Sequence, residues 1–142
     1  MAQLIRVITE ITRCGSQYRA DNLAPLGLKG CHASYLMEIC ADPGISQEKL
    51  AKRICINKSN VARQAAALEE GGFVTRVPCE ADKRVLRLYP TEKTLALMPQ
   101  IRQIICEWSR YLTQDLTGEE REQLAGILAK MKDRATAWME EN

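Results

Sequence analysis

The chain has 142 residues, 46% of them apolar and 27% charged, with a net charge of +2; this suffices for one buried core and not for two independent domains, so a single domain over residues 1–142 is expected. No stretch approaches the roughly 18 consecutive apolar residues that a bilayer requires, and Met1 to Asn22 lacks the unbroken apolar centre of a signal peptide, which argues against a membrane protein and for a cytoplasmic one. Six cysteines without a C-x-x-C pair, and one histidine, His32, argue against a zinc site and suggest reduced, partly buried thiols.

In chain order, Leu4, Val7, Ile8 and Ile11 recur at helical spacing, continued by Cys14 and Tyr18, which predicts a first helix ending near Asp21. Pro25, Gly27 and Gly30 interrupt the pattern, and His32, Tyr35, Leu36 and Ile39 form a second stripe closed by Ala41-Asp42-Pro43-Gly44. Ser46 suits the N-cap of a third helix, with Ile45 and Leu50 at staple spacing, and Leu50, Ala51 and Ile54 face inward. After the short turn Cys55-Ile56, Asn57 caps a fourth helix from Lys58 to about Glu70. Val61, Ala65 and Leu68 lie on its inner face and Gly71-Gly72 stop it. Two short helices across a tight turn make a helix-turn-helix candidate.

Phe73 to Val77 and Val85 to Tyr89 are rich in strand formers, and the polar connection Pro78 to Arg84 makes them a hairpin, or wing. Thr91 caps a long fifth helix with Met98, Ile101, Ile104, Ile105, Trp108 and Leu112 along it. Pro99 either belongs to its first turns or bends it. Thr117 and Glu120 form a capping box for a last helix carrying Leu124, Ile127, Leu128, Met131, Ala135 and Trp138 on one side. The fold class is therefore mainly α with a small β-hairpin wing. Charge is uneven along the chain: ten Lys or Arg stand against six acids between residues 47 and 93, and five against eight between 107 and 142. A basic centre beside an acidic end suits contact with a polyanion on one face.

Leu50-Ala51-Lys52-Arg53-Ile54, Asn57-Lys58-Ser59-Asn60-Val61-Ala62-Arg63, Leu68 to Arg76, Asp82-Lys83-Arg84, Pro90 to Thr94 and Leu116 to Glu120 follow one another in an order and spacing that resembles the multiple antibiotic resistance regulator (MarR) family over nearly the full length. Pro90, Thr94, Lys29 and His32 depart from the residues common in that family. The resemblance implies a winged helix-turn-helix over residues 29–90, flanked by dimerisation helices at 1–28 and 91–142. It also implies a homodimer on a palindromic double-stranded operator, with two recognition helices about 34 Å apart. Repression is the commoner outcome in the family.

Within this frame Lys58, Ser59, Asn60, Arg63 and Gln64, with Asn57 before them, lie at or near the start of the recognition helix or on its outer side. Arg offers paired donors to guanine, Asn or Gln pairs with adenine, and Lys, Ser and the helix N-terminus suit phosphates. The resemblance assigns Arg84 to the minor groove, with Asp82 holding the wing tip, Arg76 as a candidate partner of Asp82, and Lys83 on phosphate. Family members commonly respond to small aromatic or anionic effectors, for which Tyr18, Arg19, His32 and Tyr35 are pocket candidates by position. A thiol-based trigger is the competing reading. The hydroperoxide-sensing branch places its reactive cysteine near the start of helix one, where this chain has Leu4 to Val7, which leaves Cys14 and the wing residue Cys79 as redox candidates, Cys79 the more exposed. A winged-helix protein-interaction module is a further alternative. With no glycine-rich phosphate loop, no metal cluster, no cofactor motif and one histidine, the sequence does not read as an enzyme.

Overall fold

The computed structural model describes residues 1–142. By internal contacts it divides into two compact units, Met1–Cys106 and Glu107–Asn142. In the first unit, α1 (Ala2–Leu23) runs two residues beyond its expected end and passes into a single 3-10 turn, Ala24–Leu26. Gly27 follows with φ of 79°, a left-handed conformation that costs glycine nothing. Helix α2 (His32–Ala41) buries His32, Tyr35, Leu36 and Ile39, the whole of its expected stripe. Gly30, just before it, abuts α1: a Cβ there would stand 2.9 Å from the Ala20 nitrogen.

Helices α3 (Gln47–Ile54) and α4 (Lys58–Glu70) start at the caps read from the sequence. Ser46 Oγ accepts the Lys49 N–H at 3.1 Å and Asn57 Oδ1 accepts the Asn60 N–H at 2.8 Å, each satisfying a donor that has no partner within the helix. Between them Cys55 takes φ of 57°, and its N–H reaches back to the carbonyls of Ala51 and Lys52, so one left-handed residue stops α3 and reverses the chain.

The sheet has one strand more than expected. Beside β2 (Val74–Pro78) and β3 (Leu86–Pro90) lies the two-residue β1 (Ile45–Ser46), in the order β1-β3-β2, all antiparallel. Ile45 pairs with Leu88, and the Gly44 N–H donates to the Leu88 carbonyl at 2.7 Å. This places β3 in the centre and ties the wing to the residue that opens α3. β2 and β3 stay in register from Val74↔Pro90 to Pro78↔Leu86. Beneath them Leu23, Tyr35, Leu36, Ile39, Leu50, Val61, Leu68, Leu88 and Ile101 are fully buried in one core. Full burial of each such aliphatic side chain contributes about 1.5–3 kcal/mol.

Helix α5 (Glu92–Leu112) runs through Pro99, its eighth residue and exposed, so the proline lies beyond the first turn. At its start Thr91 Oγ1 donates to the Gly72 carbonyl at 2.6 Å, and the buried Thr94 hydroxyl donates to the Phe73 carbonyl at 2.6 Å. Thr91 and the departing residue Thr94 thus bond the start of α5 to the head of β2. In the second unit α6 (Gly118–Glu141) opens on the expected capping box of Thr117 and Glu120, and none of its residues is buried. No helix is long and apolar enough to cross a membrane.

Candidate nucleic-acid interface

The surface that α4 and the wing present together is assembled from short-range devices. Lys58 Nζ lies 2.9 Å from Glu48 Oε1, a link between the first turns of α4 and α3. The hydrogen bond and charge of Lys58, with Lys52 adding to them, hold the Glu48 carboxyl below its usual pKa. Ser59 Oγ donates to Asn57 Oδ1 at 2.9 Å, so the cap oxygen serves both a side chain and the helix. Arg63 Nη2 donates to Asn60 Oδ1 at 3.0 Å. Arg63 is exposed and steered by its neighbour one turn back, which leaves most of its five donors available.

Gln64 departs from the outward position expected of it. Its Oε1 lies 2.9 Å from His32 Nε2 on α2. The other ring nitrogen, Nδ1, accepts the Lys29 backbone N–H at 3.0 Å. A nitrogen that accepts carries no proton, so the imidazole is neutral and Nε2–H donates to Gln64. Burial lowers the His32 pKa, the Gln64 bond works against that, and the Lys29 charge lowers it further. Gln64 falls three residues after Val61 and four before Leu68, both buried. That spacing, at the margin of the inner stripe, was the signal for an inward amide.

In the wing, Arg84 Nε lies 3.1 Å and Nη2 3.3 Å from the Asp82 oxygens, and the Arg84 backbone N–H also donates to Asp82 at 3.1 Å. These bonds keep the Asp82 carboxyl below its ordinary pKa. The Arg84 side chain is 91% exposed, so Asp82 orients it without enclosing it. Arg76, expected as a partner of Asp82, is bound instead by Glu69 of α4, whose carboxylate accepts Nε, Nη2 and the Arg76 backbone N–H. The distance in sequence misled: the strand register brings Arg76 to the end of α4 and not to the wing tip. Lys83 is exposed. Between α4 and the wing, Gln47, Lys58, Ser59, Ala62, Arg84 and Leu86 line one groove, so the helix residues and Arg84 flank a common concavity.

The cysteines differ from the expectation of burial. Cys14, Cys31, Cys55 and Cys106 are exposed, whereas Cys40 and Cys79 are half-buried, so Cys79 is less exposed than Cys14. Hydrogen bonds from the backbone N–H groups of Asp82 and Ala81 and from the Arg87 side chain nevertheless lower the Cys79 pKa, which favours its thiolate. Among the pocket candidates, the Tyr18 hydroxyl donates to the Ile104 carbonyl at 2.9 Å and Arg19 bonds Ser16 on its own helix. His32 and Tyr35 meet edge to face at 6.4 Å. The buried Tyr35 hydroxyl has no hydrogen-bond partner, and burial raises its pKa.

Residues 32–86, from the start of α2 to the start of β3, match the profile of the MarR family. The uncharacterized HTH-type transcriptional regulator YybA of Bacillus subtilis (strain 168) is 30% identical over 132 residues, which span 93% of this chain and 88% of YybA. The chain belongs to the MarR family. The crystal structure of the transcriptional regulator SlyA superposes with a TM-score of 0.92 at 31% identity, covering 96% of each chain. That of a MarR-family regulator from Listeria monocytogenes in complex with a 26mer DNA superposes with a TM-score of 0.89 at 27% identity, covering 94% of this chain and 89% of that one. The protein is thus a MarR-family transcriptional regulator with the winged-helix fold, and not an enzyme.

Proposed function

We propose that the chain binds double-stranded DNA sequence-specifically as a homodimer on a palindromic operator, acts as a repressor, and is released by a small aromatic or anionic molecule. The observation that carries the DNA half is a pair of oriented, exposed guanidinium groups on the two elements that border the groove: Arg63 held by Asn60 on α4, and Arg84 held by Asp82 on the wing. Arg63 pairs with a guanine edge in the major groove and Arg84 enters the negative potential of a narrow minor groove. Lys58, Ser59 and Lys83 flank them as phosphate contacts. A relative of the same fold whose structure was solved with a 26mer DNA supports this use of the surface.

Dimerisation is supported by apolar side chains that a lone chain leaves in water. Ile5 on α1 is 61% exposed, and Ile127 and Trp138 on α6 are 56% and 63% exposed. Exposed apolar side chains on each of these helices are of the kind covered by association, and a second copy is the partner that residues 1–28 and 91–142 fit. The partnerless Tyr35 hydroxyl beside His32 supports an effector site under the recognition helix, and repression follows the commoner habit of the family. A redox trigger keeps one supporting feature, the hydrogen bonds from Asp82, Ala81 and Arg87 that lower the Cys79 pKa.

Selection of bound duplexes from a random pool tests the central reading. Recovery of a palindrome, with affinity falling steeply as salt rises because phosphate contacts release counterions, is the expected result. Enrichment of no sequence at all would overturn it and leave the protein-interaction alternative.

A further inference from the structure

We propose that His32 is a positioning residue for the recognition helix: as a neutral imidazole bonded on both sides, it fixes Gln64 and with it the rotation of the DNA-facing side of α4 relative to α2. The inference rests on the DNA-binding reading above and adds a residue that does not itself touch DNA. Three observations support it. His32 is 5% exposed, so neither bond competes with bulk water. Its Nδ1 is committed to the Lys29 N–H and its Nε2–H to Gln64, at 3.0 and 2.9 Å, so the ring cannot turn without breaking both. Gln64 directly follows Arg63 and lies one turn after Asn60, so the residue that His32 grips adjoins the oriented reading pair on the same helix.

The device has a chemical polarity. Adding a proton to His32 puts a second N–H at Nδ1, directed at the Lys29 N–H: donor faces donor, and that bond is lost. The groups around the ring offer no anion to compensate. Gln64 from α4 is a neutral amide, Tyr35 from α2 presents its ring, and Lys29 from the preceding turn is a cation. Arg63, also cationic, lies toward Tyr35. The imidazolium keeps its Nε2–H for Gln64 but loses its anchor at the Lys29 N–H, so the ring no longer fixes Gln64 relative to α2. Acidification loosens the reading helix while leaving the phosphate contacts of Lys58 and the wing in place.

The test measures the affinity of wild type, His32→Ala, His32→Gln, Gln64→Ala and the double variant H32A/Q64A for a duplex selected with wild type, with circular dichroism as the folding control. His32→Ala is expected to bind about tenfold more weakly, the loss that one unsatisfied buried polar group produces, with an unchanged salt slope. Gln64→Ala is expected to match it and the double variant to be no worse, because the two act as one unit. His32→Gln supplies an amide donor to Gln64 and a carbonyl to Lys29 but no titrating proton. It should restore binding, and abolish the loss of affinity expected of wild type as pH falls below about 6.5, the ordinary histidine value, since burial sets the His32 pKa lower. Unchanged affinity in folded His32→Ala, additive losses in the double variant, or parallel pH profiles for wild type and His32→Gln would each overturn the proposal. A random pool that yields no duplex for wild type would instead overturn the DNA-binding reading beneath it.

Discussion

Asn57 lets the capping of α4 be separated from the contact with DNA proposed for it. Its side-chain oxygen accepts the Asn60 N–H at 2.8 Å and the Ser59 hydroxyl at 2.9 Å, at the exposed end of α4. Asn57→Ala removes the only side-chain acceptor at that cap, which should cost about 1 kcal/mol. For a chain of this size that is a fall of about 4 °C in Tm. Asn57→Asp keeps both bonds and sets a carboxylate at the positive end of the helix, so its stability should equal or exceed wild type by a few tenths of a kcal/mol. Its effect on DNA runs the other way. A unit charge about 4 Å from a phosphate is repelled by about 1 kcal/mol in water, roughly a fivefold loss of affinity. Thermal unfolding and fluorescence anisotropy on one selected duplex read the two quantities. An Asn57→Ala variant as stable as wild type would refute the capping argument, and an Asn57→Asp variant that binds DNA undiminished would show that this end of α4 does not approach phosphate.

Arg84→Ala should weaken duplex binding with little change in Tm, since its side chain is 91% exposed and exposed ion pairs contribute at most about 1 kcal/mol; equal affinity at matched salt would remove Arg84 from the interface. Cys79 should be alkylated by iodoacetamide before Cys40 at neutral pH, because hydrogen bonds from Asp82, Ala81 and Arg87 lower its pKa while burial raises that of Cys40. As pH falls through the thiol range, Cys40 should lose reactivity first, and Arg87→Ala should slow Cys79. Peptide mapping that finds the two labelled at equal rates would contradict this.

What was legible in the sequence and what was not divides along contact distance. Ser46, Asn57 and Thr117 declared their caps because each bonds an N–H three residues away, and the stripes of α2 and α4 followed from helical period alone. Strand β1 was invisible: two residues carry no alternation, and Ile45 becomes a strand only through Leu88, 43 positions later. Arg76 and Gln64 were misdirected for the same reason, since Glu69 and His32 reach them through tertiary placement. The lowered Cys79 pKa depends first on two backbone N–H groups of the wing turn, which composition does not encode. The Asp82 to Arg84 pair, two residues apart, was legible as a motif, and Asp82 bonds Arg84 there and not Arg76.

The order β1-β3-β2 leaves β2 as an open edge of the sheet, and α4 blunts it. In its register the outward-facing backbone positions are Val74, Arg76 and Pro78. Pro78 has no N–H to give, and the Arg76 N–H is already taken by the Glu69 carboxylate. A strand from another molecule would find too few free donors to add itself there. The wing is thereby kept out of sheet-to-sheet polymerisation, so a chain whose helices leave apolar side chains exposed can reach high local concentration without its β-ribbon seeding aggregates.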